Sequence, residues 1–156
     1  MYLRGMNGVE LFLLGRVLMK IGEEALPTEG IGQHSTSVRT VLIVAGDVSG
    51  HPGSAVGEIA ARTGLPQSAV SGAVARLRET GAVVTEPDPR DRRRVLIRPA
   101  PEASPRVAEI RSTSIDAALA TALGTDDPEH VDRIVALLAE LGRHLTPQAL
   151  ARLRGR

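Results

Sequence analysis

Apolar residues recur three and four positions apart along most of the chain, and each recurrence ends at a Gly or Pro, which predicts a string of short amphipathic helices. Leu11, Leu14, Leu18 and Ile21 mark the first, over 9–25 ahead of Pro27. Its apolar run 11–19 carries Gly15 and Arg16 and is too short for a bilayer span, so it predicts a buried helix of a cytoplasmic protein. Residues 28–33 contain two Gly and no period, and read as a loop. Ser35, Thr36 and Ser37 are N-cap candidates for a second helix through Val38, Val41, Leu42 and Ala45, closing near 46–53. A third helix is expected over 56–63, broken by Gly64, and a fourth runs through Val70, Val74 and Leu77 to Gly81. Pro66 falls where a first helical turn accepts proline.

At residue 82 the period changes. Short Val/Leu/Ile-rich stretches at 82–86 and 94–98 flank the charged segment 87–93, the pattern of a β-hairpin with a polar loop. Beyond it Pro99, Pro101 and Pro105 forbid continuous regular structure, and Ser104 with Pro105 opens a helix through Val107, Ile110 and Leu119. Thr125, Asp126, Asp127, Pro128 and Glu129 combine a cap, an early proline and acids at the positive end of a helix dipole. The helix they start carries Val131, Ile134, Leu138, Leu141 and Leu145 on one face; Thr146 and Pro147 interrupt it before Leu150 and Leu153. The fold class is mainly α with a small β-hairpin.

Composition narrows the chemistry. The 156 residues suit one domain, or one protomer with two lobes. Tyr2 and Phe12 are the only aromatic residues, and Trp and Cys are absent. Modules that stack bases on rings therefore lack their working parts, as do thiolate metal sites and cysteine redox sensors. The net charge of +1 is unevenly spread: residues 58–98 hold eight Arg against five acids, a local +3, leaving −2 elsewhere.

That basic stretch contains the most informative segment. A helix-turn-helix needs a small residue where its helices cross, a turn residue tolerant of positive φ, and apolar facing sides. Ala60 or Ala61, Gly64, and the set Ile59, Leu65, Val70 and Val74 meet those needs. On the opposite side of the second helix stand Gln67, Ser68, Ser71, Gly72 and Arg76, short polar or cationic groups suited to a major groove about 12 Å wide. Directly afterwards Arg90, Arg92, Arg93 and Arg94, with Asp91 among them, form the tip of the hairpin. A helix-turn-helix followed by a basic hairpin is a winged helix, whose wing lies along phosphates and can place Arg in the minor groove.

Residues 56–97, with the DPRDRR wing at 88–93, resemble the MarR family of winged-helix bacterial transcription regulators. The resemblance implies a winged helix-turn-helix at 35–99 between an N-terminal dimerisation helix and loop at 1–34 and C-terminal dimerisation helices at 100–156. It implies an obligate homodimer on a pseudo-palindromic double-stranded DNA operator, usually repressing. Base and phosphate contacts would fall on Gln67, Ser68, Ser71, Gly72 and Arg76, with Arg93 in the minor groove and Asp91 orienting it. Gly72 departs from relatives that carry a larger, often cationic residue there, and the proline-rich 99–103 lacks the usual Thr cap.

A small anionic or aromatic effector is expected, for which Arg16, Lys20, His34, Arg39 and His51 are the candidate ligands. With so few rings, such a pocket would hold a planar molecule by aliphatic walls and Arg or His. No cofactor, metal or membrane partner is expected: the four His show no ligand spacing, and Asp126, Asp127, Glu129 and His130 read as capping groups. Two other function classes find less support. A hydrolase has only Ser35 or Ser37 near His34 to offer, and a winged-helix module for protein partners would differ from a DNA binder in its salt dependence.

Overall fold

The computed structural model describes residues 5–27 and 36–155. In chain order its elements are α1 Gly8–Ala25, α2 Val38–Gly50, α3 Val56–Thr63, α4 Gln67–Glu79, β1 Val83–Pro87, β2 Val95–Pro99, α5 Pro105–Arg111, α6 Asp116–Leu123, α7 Pro128–His144 and α8 Gln148–Arg154. The predicted loop 28–33, together with Tyr2, His34 and Ser35, lies outside the described residues. Among the described residues no helix is long and apolar enough to cross a membrane.

The chain forms two compact units, one ending at Pro27 and resuming over Thr113–Glu140, the other comprising Thr28–Ser112 and the residues from Leu141 onward. In the first unit, α1 begins on a capping box: the Asn7 carboxamide accepts the Glu10 N–H at 3.0 Å while the Glu10 carboxylate accepts the Asn7 N–H at 2.9 Å. Ile21, Leu119 and Val131 form its small core, with Ile134, Val135 and Leu138 packed alongside. The expectation that 11–19 is a buried helix fails. Leu11, Phe12, Leu13, Leu14, Val17 and Met19 are exposed, and Ile21 is the only buried residue of α1. Within the single chain, α1 packs through Ile21 alone among its buried residues, and its other apolar sides are left uncovered.

The single helix expected from Ser104 through Leu119 is two. Ser104 caps α5 through the Val107 N–H at 3.2 Å, but α5 ends at Arg111 and α6 starts at Asp116. The hydroxyl residues between them divert the backbone: Ser112 Oγ donates to the Glu109 carbonyl at 2.9 Å, and Ser114 Oγ accepts the Asp116 N–H at 3.1 Å. At the start of α7, Asp127 accepts the Glu129 N–H at 3.0 Å, so this acid serves the helix terminus.

The second unit centres on Val44 and Val48 of α2, Ile59 of α3, Val70, Ala73, Val74 and Leu77 of α4, and Val83 and Ile97 of the hairpin. The strands pair antiparallel from Val83 opposite Pro99 to Pro87 opposite Val95, each displaced by one residue from the predicted stretches. An isolated bridge joins Ser54 to Ile97, with the Gly53 N–H donating to the Ile97 carbonyl at 2.9 Å and the Ile97 N–H to the Ser54 carbonyl at 2.8 Å. The hairpin is thereby tied on one side to the segment that leads into α3.

Candidate nucleic-acid interface

Helices α3 and α4 are set by their turn. Gly64 adopts φ +75°, a left-handed conformation that glycine takes without a Cβ penalty, and Pro66 then stands at the N-cap of α4, one residue earlier than expected. Of the two candidates for the crossing, Ala60 packs against the core while Ala61 is exposed. At its far end α4 closes on Gly81 at φ +77°, with the Ala82 N–H reaching back to the Leu77 carbonyl at 2.8 Å, and the chain turns directly into β1.

Gln67, Ser68 and Ser71 are exposed on the first turns of α4, and among the described residues their side chains make no hydrogen bond. Gly72 and Arg76 are half-buried instead. A Cβ on Gly72 would lie 2.6 Å from Thr36 Oγ1, so the missing side chain makes room for the segment that starts α2. Arg76 Nη1 donates to the Thr36 carbonyl at 3.2 Å. Both residues bind α4 to the chain ahead of α2, where Ser37 caps through the Thr40 N–H at 3.2 Å. Ser37, one of the two serines weighed as nucleophile, thus serves the helix terminus.

The wing is built by its acids. Asp88, only 8% exposed, accepts the Arg90 N–H at 2.9 Å, and Asp91 accepts the Arg93 N–H at 3.0 Å; each closes a local side-chain turn. Two backbone bonds complete the tip, Asp88 N–H to the Arg94 carbonyl and Arg94 N–H to the Asp91 carbonyl, both 2.9 Å. Asp91 therefore bonds Arg93 through the main chain, leaving the guanidinium open. Among the described residues the side chains of Arg90, Arg92 and Arg93 have no hydrogen-bond or ion-pair partner. Arg94 differs, its Nη2 lying 2.5 Å from Glu58 Oε1. A cleft of about 430 Å³ opens here, lined by Gly53, Glu58, Asp88, Arg90, Asp91 and Arg94 among others.

Behind the interface a polar bracket locks α2 to α3. Arg62 donates through Nε to Asp47 Oδ1 at 3.0 Å and through Nη2 to Asp47 Oδ2 at 2.7 Å and Ser54 Oγ at 2.6 Å. The hydrogen bond to Asp47 raises the Arg62 pKa above its ordinary value, against the opposing effect of partial burial. Ser54, buried at the bridge to β2, donates its own hydroxyl to the His51 carbonyl at 2.7 Å. Glu58, Asp47 and Arg62 were not singled out from the sequence. Their partners lie 36 and 15 residues away, beyond any local spacing rule. Glu58 did carry one signal, its place three residues after the start of a helix, and its carboxylate accepts the Ala55 N–H at 3.1 Å.

Two of the effector candidates, Arg39 and His51, do not meet. Arg39 and His51 stand at opposite ends of α2, about 18 Å apart along a helix of that length. His51 is the C-cap of α2, its Nδ1 3.3 Å from the Asp47 carbonyl. Arg16 and Lys20 are exposed on α1 in the other unit, Lys20 paired with Glu24 at 2.6 Å. Among the described residues no group of three or more His, Asp or Glu could hold a metal ion.

The model of the MarR family matches residues 40–94, the span from α2 through the wing tip. No curated protein matches the chain. Among solved structures, wild-type MarR of E. coli superposes with a TM-score of 0.54 at 14% identity, over 88% of this chain and 98% of that one. The YusO protein of Bacillus subtilis gives 0.50 at 21% identity, over 90% and 100%. At these identities the likeness is one of fold.

Proposed function

We propose that this chain, which carries a MarR-family winged helix over residues 40–94, is a transcriptional regulator that binds duplex operators as a homodimer. One observation carries the reading. The compact unit holding α4 presents Gln67, Ser68 and Ser71 without partners, and also a wing whose Arg90, Arg92 and Arg93 are exposed and unpaired among the described residues. Short polar groups reach base edges, and open guanidiniums neutralise phosphates or enter a narrow minor groove. Gly72 and Arg76, also in the proposed contact set, act mainly by fixing α4 against the start of α2.

The dimer is supported by the uncovered apolar side chains of α1, Leu11, Phe12, Leu13, Leu14 and Val17, and by Leu137, Leu141, Leu145, Leu150 and Leu153 toward the C-terminus. Monomeric proteins rarely leave so many large apolar side chains of one helix in water. We assign dimerisation to 1–34 and 100–156 and DNA binding to 35–99, with two α4 helices spaced at about one DNA turn, 34–36 Å, or a multiple. Repression is the simplest output, because a dimer seated on a promoter excludes other proteins without any further surface. An anionic or aromatic effector meeting some of Arg16, Lys20, His34, Arg39 and His51 would release DNA only if it bound one arrangement of the lobes better.

Footprinting on the DNA flanking the gene, with affinity followed against salt, tests the reading. A protected site and a fall of ~0.9 log units of affinity per log salt for each neutralised phosphate are expected. Turnover of a substrate, or protein binding without that salt slope, would instead favour an enzyme or a protein-interaction module.

A further inference from the structure

Arg94 is the one wing-tip arginine whose charge is already used. Its Nη2 meets Glu58 Oε1 of α3, and both side chains are about half exposed, 47% and 49%. The Arg94 main chain is held separately by its two hydrogen bonds across the wing tip. The guanidinium can therefore swing away without loosening the hairpin. Glu58 is likewise held, since its carboxylate also accepts the Ala55 N–H at the start of α3. The pair borders the cleft between α3 and the wing tip, so it stands open to solvent and to a large anion. The other two carboxylates there, Asp88 and Asp91, are engaged in the wing's own turns, whereas Glu58 faces the wing from a different element.

We propose that Glu58 sets the affinity of the wing for DNA: it holds the Arg94 guanidinium in the free protein and gives it up to a backbone phosphate on binding. This inference rests on the DNA-binding reading above. An exposed ion pair is weak enough to be exchanged. The exchange has a distinctive signature in salt. When Arg94 moves from Glu58 to a phosphate, the phosphate sheds its condensed counterion. The exposed ion pair that must break is itself screened by salt, so the hold of Glu58 on the guanidinium is strongest at low salt and fades as salt rises.

The test follows affinity against salt for a mixed-sequence duplex of about three helical turns. Glu58→Gln retains an amide oxygen for the Ala55 N–H, so α3 keeps its cap. It is expected to tighten binding about two- to fivefold at low salt, the range of an exposed ion pair, with an advantage that shrinks as salt screens the pair in the wild type. Arg94→Gln should weaken binding and lower the salt slope by up to about 0.9, because one phosphate contact is lost. In the Arg94→Gln background Glu58→Gln should tighten binding distinctly less, since no guanidinium is left to release. A Glu58→Gln affinity equal to wild type at low salt, or a gain that persists undiminished after Arg94 is also replaced, overturns the exchange. Absence of wild-type binding at low salt instead overturns the DNA-binding reading, and this inference with it.

Discussion

A methyl group on Gly72 would collide with Thr36 Oγ1 at 2.6 Å, although alanine is the better helix former by about 1 kcal/mol. The two effects oppose each other, and the Thr36 hydroxyl decides which wins. In a Thr36→Ala background, Gly72→Ala is expected to stabilise the protein by about 0.5–1 kcal/mol; in the wild type that gain should vanish or reverse. Urea unfolding of the four variants checks this, and equal effects in both backgrounds would show that Thr36 does not limit the position. Asp47 offers a second residue-scale expectation. Its side chain is 9% exposed and takes two nitrogens of Arg62, so Asp47→Ala strands a half-buried guanidinium. A loss of about 1.5–3 kcal/mol is expected, the range for hydrogen bonds to charged groups. A guanidinium stays protonated at any working pH even without its carboxylate partner, so no adjustment of its protonation can relieve that loss.

At the scale of elements, the wing separates two ways of being basic. Arg93 is open to solvent, and Arg93→Ala should lower the salt slope of DNA binding by about 0.9. Asp91 contributes no cation; it shapes the tip by accepting the Arg93 N–H. Asp91→Asn retains that acceptor and should preserve binding, whereas Asp91→Ala removes it and should weaken binding with less change in slope; identical behaviour of the two would deny the positioning role. The helix-turn-helix was legible in the sequence because its signals are local: apolar spacing in α3 and α4, Gly64 between them, and a change of period after Gly81. The break at 112–115 was not, since neither Gly nor Pro falls between Val107 and Leu119 to mark it, and hydroxyl residues divert the backbone instead. Nor was the division of labour among the arginines. Charge counting treats Arg62, Arg76, Arg93 and Arg94 alike, and only folding separates those holding Asp47, Thr36 and Glu58 from the one left open.

The whole molecule poses a question of solubility. Phe12 is 70% exposed and Leu11 60%, on a helix whose only buried residue is Ile21. Burying one such side chain contributes about 1.5–3 kcal/mol, so a row of them from two copies outweighs the several kcal/mol lost on association. If that row is the dimer interface, Phe12→Glu puts a carboxylate in it whose desolvation a pair with Arg16, one turn on, offsets only in part, while the residue replaced is itself exposed in the isolated chain. The variant is expected to sediment as a monomer at micromolar concentration with its helical content retained. Its single wing should still bind duplex weakly and with a salt slope, because Arg90, Arg92 and Arg93 belong to the other compact unit. What it should lose is the paired footprint, since one α4 cannot span two half-sites. A Phe12→Glu protein that remains dimeric would move the interface elsewhere, with the exposed leucines from Leu137 to Leu153 the next surface to charge.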